Sequence, residues 1–373
     1  MTMRVLILTN INLPKSFHNY VRYLYVGLRD FEVDVTLISY RGLRSFIRYL
    51  ERFRNAGNDI VIHVPNLGRG SFPAFKLLLA SKNCKSKFIT TVHGFDSFAI
   101  RRFVRSRGER CPREYCNYKQ VVDDSRNIML WRLFNALVDM IITPSKSERR
   151  NLIEAFRVKP QKIVTIYHGV DRARFKPLQT IEYEEILLRY GISSSFMLHV
   201  SSYQEKKNVE RIIATYAYLK KKFHIKEKLV VVGNHPEARL RKFAVNVGLS
   251  AQDILFMGVV PDDDLPAFYN GATCIVFPSL HESFGMPILE AMACGCPVVT
   301  SNAFACPEVA GNAALLVNPF DVKEMALAIY RVLSDAELRA ELITRGLERA
   351  RCFTWERCVL MHLKLYKAVA ELK

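Results

Sequence analysis

Residues 274–301 read CIVFPSLHESFGMPILEAMACGCPVVTS. CIVF is apolar without alternation, the pattern of a strand covered on both faces. The loop SLHESFG leaves its carboxyl end. Pro287 suits the first position of a helix, where its missing N–H costs nothing. An apolar, alanine-rich run then predicts a helix from Pro287 to Cys294 that stops at Gly295. PVVTS resumes as a strand. Strand, helix and strand in this order form one unit of a parallel, doubly wound sheet.

The same alternation recurs along the chain. In the first half the strand-like runs are RVLILT (4–9), VDVTLIS (33–39), DIVIHV (59–64), KFITTV (87–92), VDMIIT (138–143) and KIVTIY (162–167). In the second half they are FMLHVS (196–201), KLVVVG (228–233), DILFMG (253–258), CIVFPS (274–279), PVVTS (297–301) and ALLVNP (314–319). Helix-like segments separate most of them. The expectation is two Rossmann-like, doubly wound α/β domains, residues 1–177 and 178–355, followed by a last helix over 356–373. The join falls in HGVDRARFKPLQTIEYEE (168–185), where Pro177 and a polar stretch interrupt the pattern. Open α/β sheets bind ligands outside the carboxyl ends of their strands, so the cleft between two such sheets is the natural site.

At 373 residues the chain is long enough for two domains with separate cores. Half of it is hydrophobic and 24% is charged, which excludes a disordered class. No apolar run approaches the roughly 20 residues that span a bilayer. MTMRVLILTN lacks a basic lead and a small-residue cleavage site, and reads as a first strand. The nine cysteines are scattered. Cys111 and Cys116 form one C-x4-C pair with no second pair to complete a zinc site. Reduced thiols and a cytoplasmic location are expected.

Charge divides the chain unevenly. Residues 1–175 hold 31 Lys and Arg against 14 Asp and Glu, whereas 176–373 hold 23 against 22. The basic half is suited to an anionic partner: a membrane surface, a phosphorylated acceptor or nucleic acid. No nucleic-acid module or set of interleaved aromatics is present, so no nucleic-acid partner is expected. RGLRSFIRYLERF (41–53) spaces Leu43, Phe46, Ile47, Leu50 and Phe53 at helical period among arginines. This basic amphipathic helix fits an anionic membrane surface, at the inner face of the membrane, and fits an ordinary core-facing helix equally well. The basic, irregular IRRFVRSRGERCPREYC (100–116) is expected on the acceptor side.

The opening stretch also carries chemistry. The start of its helix presents N–H groups and a positive dipole end, a ready anion site. Gly285 lets a ligand approach the backbone. Glu282 reaches the same place from the loop, and Glu290 sits one turn into the helix. Carboxylates repel phosphate, so both should accept hydrogen bonds from sugar hydroxyls, and a nucleotide sugar satisfies the whole set. The plainer reading is that two glutamates near a helix start stabilise it by about 0.3–1 kcal/mol each. Asp262-Asp263-Asp264 resembles a metal-binding triplet but precedes LPAFYNGA, so it is read as a helix cap, and no required metal or cofactor is expected.

ESFGMPILEAMACGCPVV (282–299) resembles the E-x7-E signature of the retaining GT-B glycosyltransferases of family four. MGVVPDDDLPAFYNGATCIVFPS upstream and ACPEVAGNAALLVNPFD downstream resemble the family as well, and the likeness spans most of the chain. It implies a GT-B fold whose last helix crosses back to the first domain. It also implies that Glu282 contacts the donor sugar, that Glu290 binds the ribose, and that backbone N–H groups around Phe284, Gly285 and Met286 bind the diphosphate. VSSYQEKKNVERII (200–213) resembles the phosphate-binding stretch of the family. Lys207 matches the lysine that neutralises the leaving diphosphate, Ser202 stands where an arginine is frequent, and either Lys206 is its substitute or the site belongs to the variant ending R-K-N. In TVHGFD (91–96), His93 matches the histidine near the reacting carbon. His168 is read as structural or acceptor-adjacent. TNINLPKSFHNY lacks the glycine pair usual after the first strand, which bears on acceptor recognition.

The resulting expectation is a hexosyltransferase acting with retention, with His93, Lys207 and Glu282 at the reacting centre. No carboxylate nucleophile accompanies His93, which disfavours a double displacement. Likeness to mannosyl- and related hexosyltransferases of surface polysaccharides and glycolipids places GDP-mannose ahead of a UDP-hexose, with a saccharide or lipid-linked sugar as acceptor. The competing readings are a GT-B sugar-nucleotide epimerase or phosphorylase, and a non-catalytic basic binding protein.

Overall fold

The computed structural model describes residues 3–10, 15–40, 60–65, 86–93, 138–250 and 252–371. The basic stretches 41–53 and 100–116, with Cys111 and Cys116, lie outside the described residues. The chain divides into two compact units, Met1–Gly169 with Trp355–Lys373, and Val170–Thr354.

In the first unit, β1 (Arg4–Asn10), β2 (Asp34–Tyr40), β3 (Ile60–Val64), β4 (Lys87–Thr91), β5 (Met140–Thr143) and β6 (Ile163–Thr165) form one sheet. Its order is β2-β1-β3-β4-β5-β6, and every neighbouring pair is parallel. β3 is buried along its whole length, which explains its continuous apolar pattern. Between these strands the described α-helices are α1 (Lys15–Asp30) and α2 (Lys146–Phe156). Ser145 caps α2, its Oγ accepting from the Glu148 N–H at 3.0 Å.

The second unit orders its six strands β12-β11-β10-β7-β8-β9. They are β7 (Phe196–Val200), β8 (Lys228–Val232), β9 (Ile254–Gly258), β10 (Cys274–Phe277), β11 (Val298–Ser301) and β12 (Leu315–Val317), again all parallel. Around them lie α3 (Thr180–Arg189), α4 (Val209–Phe223), α5 (Glu237–Asn246), α6 (Leu265–Gly271), α7 (Met286–Ala293), α8 (Ala305–Ala310), α9 (Val322–Ser334) and α10 (Ala336–Arg351). Val209, Ile212, Ile213, Tyr216 and Leu219 recur at helical period and bury one face of α4 against Met197, Leu229, Met325 and Ile329. Each such side chain contributes roughly 1.5–3 kcal/mol by leaving water. The expected strand runs are all strands, most of them shortened at their ends, while β1 extends to Asn10 and β2 to Tyr40, and the two doubly wound α/β sheets are present as expected.

Val170–Leu178 is held by the second unit: Val170 N–H donates to Phe353 O at 3.0 Å and Leu178 N–H to Asn270 Oδ1 at 2.8 Å. The boundary therefore lies before the polar stretch around Pro177. Helix α7 begins at Met286, one residue earlier than expected, because Gly285 turns the chain at φ +101° and places Pro287 second. Asp264 precedes α6, but its side chain caps no N–H. Instead it accepts from Tyr190 OH at 2.6 Å and lies 3.5 Å from Arg189, so this phenol displaces the expected cap.

The last helix, α11 (Trp355–Ala370), returns to the first unit and buries Cys358, Val359, Tyr366 and Val369 in its core beside α1. Gly27 allows the close approach, since a Cβ there would lie 2.6 Å from Val359 Cγ2. A chain of buried hydrogen bonds joins the helix to the sheet, and its direction follows from its end. His362 Nδ1 lies 2.8 Å from Cys358 O, which only accepts, so Nδ1 carries the proton. Nε2 then accepts from Tyr20 OH at 2.8 Å, and the Tyr20 oxygen accepts from Thr91 OH at 3.2 Å. Thr91 accepts from His63 Nε2 at 2.8 Å, and His63 Nδ1 accepts from Tyr366 OH at 2.6 Å. Among the described residues no helix is long and apolar enough to cross a membrane.

Candidate functional site

In the second sheet the chain reverses direction of growth between β10 and β7, which lie side by side. This is a topological switch point, where loops leaving the carboxyl ends of adjacent strands part and leave room for a ligand. Two loops leave here: 201–208 after β7 and 278–285 after β10. They hold most of the predicted residues. His199 fixes the spacing beneath them. Its Nδ1–H donates to Val276 O at 2.9 Å, so Nε2 accepts from Ser201 OH at 2.8 Å. Burial pushes this imidazole down to about 3, which keeps it neutral.

Asn208 joins the loops. It adopts the left-handed conformation, φ +65°, at the start of α4 and is 3% exposed. Its Nδ2 donates to Pro278 O at 3.0 Å and to Pro319 O at 2.7 Å, while its Oδ1 accepts from Arg211 at 2.7 Å. The backbone adds a bond from Leu280 N–H to Lys206 O at 2.7 Å. With the loops fixed this way, Lys207 Nζ meets Glu282 Oε1 at 2.6 Å, both side chains being largely buried. Burial would raise the Glu282 carboxyl, but Lys207 and Lys206 outweigh it and hold the group below the usual carboxylate range. Lys207 also lies 5.4 Å from the centre of the Phe277 ring.

Gly285 and Met286 open α7 beside Glu282: a Cβ on Gly285 would lie 3.9 Å from Glu282 Cγ. Phe284 is buried, its ring edge-on to Phe353 at 5.9 Å. Glu290, one turn along, has a different set of neighbours. Its Oε2 accepts from Tyr269 OH at 2.8 Å. Burial raises its carboxyl, an effect that Tyr269 and Arg174 oppose and Asp262 reinforces. Ser202 is exposed on its loop.

The structure thus gathers Lys206, Lys207, Glu282, Gly285 and Met286 at one switch point and gives Glu290 its own hydrogen-bond partner. His93 belongs to the first unit, just past β4. It stacks on His168 at 5.3 Å, both beside Tyr20, and His168 also faces Trp355 at 5.9 Å. Burial pushes the His93 imidazole down to about 4, so it is neutral near neutral pH. Sequence reasoning missed Tyr269 and the bridging part played by Asn208. A tyrosine within apolar LPAFYNGA signals a buried hydroxyl in need of a partner, but not which partner.

Among the described residues no group of three or more His, Cys, Asp or Glu could hold a metal ion. An open groove of about 490 Å³ is lined by Asp171, Arg174, Leu178, Glu182, Asp263 and others, and contains none of the predicted residues.

Residues 192–349 match the family model described as glycosyl transferases group 1, and residues 13–174 match that of glycosyltransferase family 4. The chain belongs to this glycosyltransferase family. The O-antigen chain mannosyltransferase B of Escherichia coli is 33% identical over 230 residues, 61% of this chain and 60% of that protein. A serotype-specific mannosyltransferase WbdA of Escherichia coli is 31% identical over 225 residues, 58% of this chain and 27% of that protein. The D-inositol 3-phosphate glycosyltransferase of Acidothermus cellulolyticus is 32% identical over 253 residues, 63% and 55% of the two chains. The match therefore spans less than two thirds of each relative's length. A glycosyltransferase from Rickettsia africae superposes with a TM-score of 0.77 over 100% of both chains at 17% identity. The Anabaena HepE protein in complex with UDP-glucose gives 0.75 over 98% of this chain and 100% of that one, at 16% identity. These likenesses concern the fold, which is GT-B.

Proposed function

We propose that this chain transfers a hexose from a nucleoside-diphosphate sugar to a saccharide or lipid-linked acceptor, with retention at the anomeric carbon. The observation that carries the reading is the Lys207–Glu282 pair at the β7/β10 switch point, beside the start of α7. A cation and a helix start favour the departing diphosphate, and the two glutamates accept from sugar and ribose hydroxyls. Glu282 holds Lys207 through one carboxylate oxygen, so the ammonium keeps N–H groups for a bound diphosphate and the carboxylate keeps its other oxygen for a hydroxyl. Charge stabilisation and positioning supply the rate, and loss of one such contact costs on the order of 10²–10³ in kcat.

The assignment of donor binding to the second unit, residues 178–355 as read from the sequence, rests on the residues gathered there. Acceptor binding falls to the first unit, with neutral His93 near the reacting carbon as the resemblance implies. GDP-mannose is the first donor to test, because mannosyltransferases of Escherichia coli are among the relatives. A UDP-hexose is the second, since HepE is complexed with UDP-glucose. A peripheral position at the inner membrane face belongs to the same reading.

The test is a thermal-shift panel of nucleotide sugars on wild type and Glu290→Ala. A donor present at about 100 times its Kd stabilises by roughly 2.7 kcal/mol. The reading requires one nucleotide sugar to raise the wild-type Tm and to lose that effect in Glu290→Ala. A panel with no shift in wild type overturns it.

A further inference from the structure

Tyr269 belongs to α6, an element the donor-site reading leaves without a role. Its side chain is fully buried and packs edge-on against Phe175 at 5.9 Å. A buried phenol must place its O–H on a partner. Here the partner is Glu290, at 2.8 Å. A phenol O–H donates most strongly to a carboxylate, and in doing so occupies one oxygen and one rotamer. Oε2 is taken, so Oε1 is the oxygen placed to accept from a ligand.

We infer that Tyr269 is a positioning residue for ribose recognition, fixing the Glu290 carboxylate so that one oxygen is presented to the ribose hydroxyls of a nucleoside diphosphate. The inference rests on the assignment of Glu290 to donor binding. The groups that face Glu290 are Tyr269 on α6, Arg174 from the 170–178 segment, Asp262 before α6 and Cys294 just past the end of its own helix. Arg174 is shared with Asp262 at 3.5 Å. The phenol is therefore the direct hydrogen-bond donor and the others act through space. Without it the carboxyl gains a proton more readily, since burial already favours the neutral form.

The experiment titrates GDP and UDP, with their 2′,3′-dideoxy counterparts, into wild type, Tyr269→Phe and Glu290→Gln by calorimetry from pH 5 to 8. The phosphate's own titration is common to all pairs and cancels in the ribo-to-dideoxy ratio. Tyr269→Phe is expected to weaken the ribonucleotide on the order of tenfold, to leave the dideoxy form unchanged, and to move the acid loss of binding to higher pH. Glu290→Gln should abolish the ribo preference and its pH dependence. If Glu290→Gln removes the preference while Tyr269→Phe keeps both preference and pH profile, the inference falls and the donor-site reading stands. If Glu290→Gln keeps the preference, or wild type binds neither nucleotide, the donor-site reading falls and takes the inference with it. Should Tyr269→Phe fail to fold, Glu290→Asp, which keeps the charge but withdraws it from the phenol, is expected to give the same loss of preference, and an unchanged preference overturns the inference.

Discussion

Lys207 and Glu282 stand 75 residues apart in sequence and 2.6 Å apart in the fold, a nearly water-free ion pair at the carboxyl ends of two neighbouring strands. Removing one partner leaves the other charge buried and uncompensated, at a cost of about 3–5 kcal/mol. Lys207→Met and Glu282→Gln should therefore each lower the midpoint of denaturant unfolding, and the double variant should recover most of the loss. Its activity should stay down by on the order of 10²–10³, because the cation is gone. A double variant as unstable as either single one would show that the pair does not couple. The carboxyl lies below its ordinary pKa. The stability it contributes is therefore complete above the unfolded value, about 4.3, and is lost as pH falls further through the lower folded value.

Asn208 should be the most sensitive residue of the two loops that bears no charge. Its left-handed backbone and its bonds to Pro278 O and Pro319 O make separate demands. Asn208→Ala fails both; Asn208→Gly meets the backbone demand alone. The glycine variant should be more stable than the alanine one by roughly 1–2 kcal/mol. Both should lose affinity for nucleotide, since the bonds that space Lys207 from Glu282 are gone. Equal stability of the two variants would mean that the backbone conformation carries no strain.

Gly233 and Gly191 share a positive φ, +125° and +70°, but only Gly233 is crowded: a Cβ there would lie 1.8 Å from Ser201 O. Gly191 has open space around it. Gly191→Ala should cost about 1 kcal/mol for backbone strain alone. Gly233→Ala must also push the 201–208 loop away from β8, so it should cost several times more and impair nucleotide binding. Urea unfolding of the two variants decides this, and similar losses would show that the loop yields freely.

The strands and the switch-point loops were legible because strand burial and loop position are written in local sequence. Glu282 and Lys207 were each legible as chemistry-bearing residues of loops at the carboxyl ends of strands, but their pairing was not, since it depends on how Asn208 draws two distant loops together. Tyr269 signalled only a buried hydroxyl in need of a partner, and that partner, Glu290, lies on another helix. The shift of α7 by one residue and the missing cap at Asp264 have a common cause. Local preference proposed Pro287 as first residue and Asp264 as cap, and a glycine turn and the Tyr190 phenol proved the stronger contacts.

The histidine chain that fastens α11 makes the first unit sensitive to acid. His63, His93, His168 and His362 are all held below their ordinary pKa, foremost by burial, His93 and His362 at about 4. In the unfolded chain each titrates near 6.5. The stability that depends on their neutrality is thus complete above pH 6.5 and declines as pH falls toward 4, by about 1.4 kcal/mol per pH unit for each proton taken up on unfolding. His362→Leu removes one such proton and two hydrogen bonds. It should lower stability at pH 7.5 by about 1–3 kcal/mol, yet show a shallower loss between pH 6.5 and 4.5. Denaturant unfolding at several pH values tests both parts, with proteolysis reporting release of α11. An unchanged slope would mean that His362 does not take up a proton on unfolding, and that the acid sensitivity lies elsewhere.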